Sequence, residues 1–178
     1  GQMINATAPD GVPATDVKTA DPSQSVKDLT GIGIFSSLKQ LTLTDNSFQT
    51  IPDEISQLTN LTDLTITRNT VLTHIGDLSG LQNVTHLAIT NNSQLTELPP
   101  SINTLINVRS TLDLHGNSFT TLPDLSALQQ VTTLDLNNNR LTSITGGQLD
   151  QLANLTALNL GRYDGANYQE FVTGLGHD

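Results

Sequence analysis

Asp113 and Asp135 each stand two residues ahead of another polar group, His115 and Asn137, and this pairing recurs at the interval of one sequence repeat. Such side chains can hold a cation through oxygen, or grip a positively charged group on a partner. Placed on neighbouring strands, the two carboxylates repel unless a cation or a basic group bridges them. Calcium takes about 6–8 oxygen ligands, so Asp113 and Asp135 make a thin cation site, and neither a metal nor any other cofactor is assigned. Catalytic chemistry has less to build on. His74, His86, His115 and His177 form no His-x-x-x-His pair, and neither Gly-x-Ser-x-Gly nor Ser-x-x-Lys occurs. Gly31-Ile32-Gly33 lacks the remainder of a dinucleotide loop. Cysteine is absent, which removes thiolate zinc sites, disulfides and cysteine nucleophiles together. The chain reads as non-enzymatic.

The elements that would position these residues are repeats. Asn46, Asn69, Asn92, Asn117 and Asn139 each close a Leu-x-[Leu/Ile]-x-x-Asn string, at intervals of 23, 23, 25 and 22 residues. Such spacing is that of stacked solenoid units. Within a unit the apolar residues first fall every third position, as in Val26, Leu29, Ile32, Phe35, Leu38 and Leu41. They then alternate, as in Leu41-Thr42-Leu43. Alternation over three to five residues predicts a short strand, whereas period three suits turns and 3₁₀ segments better than an α-helix. Parallel strands roughly 4.8 Å apart would form a concave sheet, with loop-rich returns behind it. Pro52, Pro99 and Pro123 start three returns, where a missing N–H costs little. The five asparagines are read as structural, because an amide can both donate to and accept from backbone groups where the chain leaves the sheet.

Aligned repeats give columns of outward side chains. One reads Thr42, Thr65, Ala88, Asp113, Asp135, Asn159; the next reads Thr44, Thr67, Thr90, His115, Asn137, Gly161. Two flanking columns carry Gln40, Asp63, His86, Thr111 and Asp45, Arg68, Asn91, Gly116 at their leading positions. The candidate binding residues on this face are Asp63, Arg68, His86, Asp113, His115, Asp135 and Asn137. An extra residue in Arg109-Ser110-Thr111 is expected to bulge the sheet beside the aspartate pair or to be absorbed as a tolerated insertion. Aromatics are nearly missing from the columns, although buried Trp, Tyr and Arg usually anchor tight protein interfaces.

The formal net charge of −10, from 17 acidic and 7 basic residues, argues against nucleic acid as a partner. No apolar run is long enough to insert into a membrane. Residues 1–22, with Pro9, Pro13 and Pro22 and no periodic apolar pattern, are read as a linker or loose N-terminal cap. Residues 23–164 form the repeat domain, and 165–178 a C-terminal cap or tail. Tyr163 stands where the sixth unit should carry asparagine. Asn-x-Thr strings such as Asn60-Leu61-Thr62 and Asn83-Val84-Thr85 recur at one repeat position and are read as part of the repeat rather than as glycan acceptors.

Leu38-Lys39-Gln40-Leu41-Thr42-Leu43-Thr44-Asp45-Asn46 and the stretch from Val131 to Asn139 resemble the strand segment of the leucine-rich repeat family. The resemblance covers about residues 26–164. It implies an α/β-type repeat solenoid: a horseshoe with a short parallel β-sheet on the concave face, irregular or 3₁₀ turns on the convex face, and about six strand-bearing repeats. The returns Ile51-Pro52-Asp53-Glu54-Ile55 and Leu98-Pro99-Pro100-Ser101-Ile102 look like bacterial examples, most of all the internalin-like surface proteins. That likeness implies an extracellular or wall-attached module with a protein partner, such as a host or cell-surface protein. The alternative is a structural spacer, or a domain that touches wall polysaccharide.

Overall fold

The structure, a computed structural model, describes residues 17–18, 25–144, 149, 151–163 and 168–169. Its strands are β1 (Val17–Lys18), β2 (Gln40–Thr44), β3 (Thr50–Ile51), β4 (Asp63–Thr67), β5 (His74–Ile75), β6 (His86–Thr90), β7 (Arg109–Asp113), β8 (Gln130–Asp135), β9 (Ala157–Asn159), β10 (Arg162–Tyr163) and β11 (Tyr168–Gln169). One sheet runs in the order β1-β2-β4-β6-β7-β8-β9, and all its pairs are parallel. Six of those strands come one from each repeat. The returns carry 3₁₀ turns at Ile32–Ile34, Asp53–Gln57 and Pro100–Thr104, the latter two entered from Pro52 and Pro99. β3 and β5 add a small parallel pair behind the main sheet, which period-three spacing in the sequence did not announce.

Parallel sheets are normally covered on both faces and read as continuous apolar runs. Here every return passes on one side, so the strands alternate instead. Leu41, Leu64, Leu87, Leu112 and Leu134 lie in register and are buried, as are Leu43, Ile66 and Ile89 one step on. Phe48 and Phe119 fill the returns behind them with no exposed surface. The core is thus a column along the solenoid axis.

Two polar ladders fix the stacking. In the first, the backbone N–H groups of Asn46, Asn69 and Asn92 donate to Oδ1 of Asn69, Asn92 and Asn117 respectively, each at 3.0 Å. Oδ1 of Asn46 accepts from the N–H of Val26, closing the series at its first repeat. Oδ1 of Asn139 accepts from the N–H of Phe119 instead, a slip of two residues. The side-chain amides donate to strand-end carbonyls, including Asn69 to Leu43 O and Asn92 to Ile66 O. Immediately before each of these asparagines the chain turns left-handed, at Asp45, Arg68, Asn91, Gly116 and Asn138, with φ between 54° and 72°. The second ladder enters the strands: Nδ2 of Asn60, Asn83, Asn107 and Asn154 donates to a carbonyl one repeat back, at Ser36, Thr59, Gln82 and Gln129, over 2.7–2.8 Å. The hydroxyls of Thr62, Thr85 and Thr156 do likewise. An Asn-Leu-Thr or Asn-Val-Thr string therefore has both polar members bonded to the repeat before it.

The extra residue in the fourth repeat is taken up at the leading end of β7. β6 and β7 pair only at Leu87↔Leu112 and Ala88↔Asp113, and Ser110 is left-handed at φ 62°. The β7–β8 register shifts between Ser110 and Thr111. Within residues 1–22, Val17–Lys18 pairs with Leu43–Thr44 at the first edge of the sheet; the rest of that linker or cap lies outside the described residues. Of the expected C-terminal cap, Tyr168–Gln169 pairs antiparallel with Arg162–Tyr163, and the remaining residues after 163 also lie outside them.

Candidate functional site

Side chains at alternate strand positions leave the sheet on the side away from the returns, so the concave face is set by register alone. Thr42, Thr65, Ala88, Asp113, Asp135 and Asn159 are successive partners across the strands, and Gln40, Asp63 and His86 are partners in the adjoining column. The insertion interrupts that second column: His86 has no register partner in β7, while Thr111 pairs with Thr133.

Asp113 and Asp135 are thus brought together on neighbouring strands. Each carboxylate is engaged by hydrogen-bond donors. Oδ1 of Asp113 accepts from the N–H of His115 at 3.2 Å and contacts its Nδ1 at 2.7 Å. Nε2 of His115 lies 3.0 Å from Nδ2 of Asn91. That pairing makes the imidazole an acceptor at Nε2 and a donor at Nδ1. Oδ1 of Asp135 accepts from the N–H of Asn137, and Oδ2 accepts from Nδ2 of Asn159. No group of three or more His, Asp or Glu side chains arranged to hold a metal is found among the described residues.

Asp63 and His86, on β4 and β6, meet at 3.2 Å between Oδ1 and Nδ1, and the hydroxyl of Thr62 donates to the other carboxylate oxygen. Arg68 lies apart from both clusters. Its Nε and Nη2 donate to Oδ1 and Oδ2 of Asp45 at 2.9 and 2.7 Å, a fork-on-fork pair one repeat apart. Those hydrogen bonds, and then the charge of Asp45, hold the guanidinium more firmly protonated than usual. The side chains are 56% and 48% exposed, so the pair stands in solvent at the rim of the sheet.

Asp45, Asn91 and Asn159 stand in the outward columns read from the sequence but not among its candidate binding residues, although all three touch residues that are. The signal was available: Asp45 and Arg68 hold opposite charges at the same position of successive repeats. Toward the N-terminal end the face is threonine. The hydroxyls of Thr67 and Thr90 meet at 2.8 Å, and Thr44 and Thr90 are buried against their neighbours. On the convex side three Asp-Leu-[Ser/Thr] turns, at Asp28, Asp77 and Asp124, hold carboxyls below the usual aspartate range. The cause at Asp28 and Asp77 is first the hydroxyl of Thr30 or Ser79, and at Asp124 first the backbone N–H of Ser126.

Among solved structures, the chain is 26% identical to the leucine-rich repeat domain of the type III effector XopL, with a TM-score of 0.65 over 75% of this chain and 47% of that one. A leucine-rich repeat protein of Leptospira interrogans is 28% identical, with a TM-score of 0.51 over 75% of this chain and 40% of that one. An internalin of Listeria monocytogenes matches at 19% identity and a TM-score of 0.44, over 76% and 45% of the two chains. The chain spans less than half the length of each of these. No curated protein sequence matches it. Residues 36–94 and 107–162 match the leucine rich repeat family, whose domains are in general protein-interaction modules. The parallel sheet, the stacked asparagines and this match over most of the chain agree: the chain belongs to the leucine-rich repeat family.

Proposed function

We propose that this chain is a non-enzymatic protein-interaction domain of a secreted or cell-wall-attached bacterial protein, receiving its partner on the polar concave face. The observation that carries the reading is the placement of Asp63, Arg68, His86, Asp113, His115, Asp135 and Asn137. All of them reach solvent from the strands or strand ends of one sheet, whose backbone is pinned by two hydrogen-bonded ladders. A rigid face with varied polar side chains needs little reordering on binding. The likeness to a domain of a type III effector and to a Leptospira protein supports a bacterial and secreted setting.

A second reading is favoured by one feature, the lack of Phe, Tyr or Trp in the concave columns. It makes the repeats a spacer, or a contact for wall polysaccharide, without a dedicated protein partner. A quantitative pull-down separates the two. Wild type and the Arg68→Ala, Asp113→Ala, Asp135→Ala variant, both confirmed folded, are exposed to host-cell surface extract and to bacterial wall material. A protein enriched by wild type and lost by the variant supports the interaction domain. Enrichment of wall material alone, or of nothing, supports the spacer, and equal enrichment by both proteins removes the concave face from the reading.

A further inference from the structure

Building on the concave face as the partner surface, we infer that this face carries a proton-driven switch, in which His115 sets whether Asn91 presents a hydrogen-bond acceptor or a donor beside it. The contacts fix the state of the neutral ring. Nδ1 of His115 stands 2.7 Å from Oδ1 of Asp113, a carboxylate oxygen that can only accept, so the single ring proton sits on Nδ1. Nε2 keeps a lone pair, and Nδ2 of Asn91, which can only donate, meets it at 3.0 Å. The amide of Asn91 is thereby held one way round, with Oδ1 over Gly116, where a Cβ would overlap it.

A proton added to Nε2 reverses that arrangement. It takes up the lone pair, the ring then donates at both nitrogens, and the contact with Asp113 becomes an ion pair. Nε2–H and the NH2 group of Asn91 are now two donors face to face, and the hydrogen bond between them is gone. Half a turn of the amide about Cβ–Cγ restores it, with Oδ1 of Asn91 accepting from Nε2–H and the NH2 group standing over Gly116. The absent side chain of Gly116 leaves room for the turn. The backbone stays in place, because the N–H groups of Asn91 and Gly116 donate to His115 O and Asn137 O at 2.9 and 2.8 Å.

The charged groups around this pair are already engaged. Asp135, the register partner of Asp113, accepts from Asn137 and Asn159, and Arg68, one repeat before Asn91 at the rim, is forked on Asp45. His86 lies at the opposite end of β6, against Asp63. Imidazole is the side chain whose charge ordinarily changes between about pH 5 and 8, so His115 is the group that couples Asn91 to pH in that range. Acidification exchanges an acceptor for a donor and adds a positive charge at one spot on the face. A partner group that donates to Asn91 at the alkaline end therefore loses its acceptor at the acid end.

The test follows the chain alone by NMR from about pH 8 to about pH 5, reading the ring nitrogens of His115 and the side-chain amide of Asn91. The expected result is an Nε2 free of its proton at the alkaline end, and Asn91 side-chain resonances that move with the same midpoint as the His115 ring. His115→Gln should flatten the Asn91 curve, and His86→Gln should leave it in place. A proton on Nε2 at the alkaline end, Asn91 resonances that stay fixed while the ring titrates, or an Asn91 curve that persists in His115→Gln would each overturn the inference. The first two are read on wild type and need no variant to fold. Repeating the pull-down at both ends of the range keeps the two readings apart. A partner lost on concave mutation but held equally at both ends overturns the regulation and leaves the interaction face standing, whereas coupled titration with no partner captured overturns the interaction face and leaves the switch.

Discussion

The backbone N–H of Asn92 donates to Oδ1 of Asn117 at 3.0 Å, the same length as the Asn69-to-Asn92 bond, although the first step spans 25 residues and the second 23. One of the two added residues lies in the return, where Leu98 and Ile102 stand four positions apart against three for Ile75 and Leu78, and the other is absorbed at Ser110 and the leading end of β7, so the ladder is in step again before the strand ends. What the ladder protects is a line of buried backbone donors and carbonyls with no water to turn to.

Replacing Asn92 by alanine strands two of them, the N–H of Asn69 and the carbonyl of Ile66. Each unsatisfied buried group costs about 1–3 kcal/mol. A domain of this size loses roughly 2–4 °C per kcal/mol, so Asn92→Ala should melt several degrees below wild type. A superimposable melting curve would remove the ladder from the stability of the fold.

The entering ladder should behave differently. Asn83 donates to Thr59 O at an exposed site, where water can replace it. Asn83→Ala is expected to cost about 0.5–1.5 kcal/mol, the net worth of an ordinary hydrogen bond. Chemical denaturation of both variants should rank Asn92→Ala as clearly the more damaging, and the reverse order would contradict the assigned burial.

The repeat could be read from sequence because leucine spacing and stacked asparagines report the core and its turns directly. Register followed from the same spacing, so the columns through Thr42 and Asp113 could be written down without coordinates. Contacts between columns could not. Whether Arg68 reaches Asp45 or a partner, and whether His115 meets Asp113 or Asn91, depends on side-chain torsions that periodicity does not encode. The entering ladder was hidden for another reason: Asn60 and Asn83 begin Asn-x-Thr strings, whose spacing fixes a repeat position without showing which carbonyl each side-chain amide meets.

Acid should loosen the convex turns. Hydrogen bonds from Thr30, Ser79 and Ser126 lower the pKa of Asp28, Asp77 and Asp124 in the folded chain. A depressed folded value means the bonds stabilise fully above the unfolded aspartate pKa, and that this contribution is lost as pH falls through the folded one. Ser79→Ala should therefore lower the melting temperature at neutral pH and converge with wild type in strong acid. A gap that widens on acidification would reverse the sign assigned here.

Gly116 links the backbone to the binding face. It is left-handed at φ 72°, in the column where Asp45, Arg68 and Asn91 adopt the same turn, and a side chain there would overlap Oδ1 of Asn91. A β-branched residue is poorly suited to this region, which costs an L-residue about 1–2 kcal/mol. Asn91 must also swing away, and with it goes the amide that meets Nε2 of His115. Gly116→Val should thus destabilise the domain by about 1–2 kcal/mol and shift the ring resonances of His115, whereas Gly116→Asn, a residue tolerant of this turn, should retain more of the stability. If Gly116→Val leaves the His115 ring unmoved, then Asn91 does not hold it, and the ring is placed by its own Nδ1 contact with Asp113.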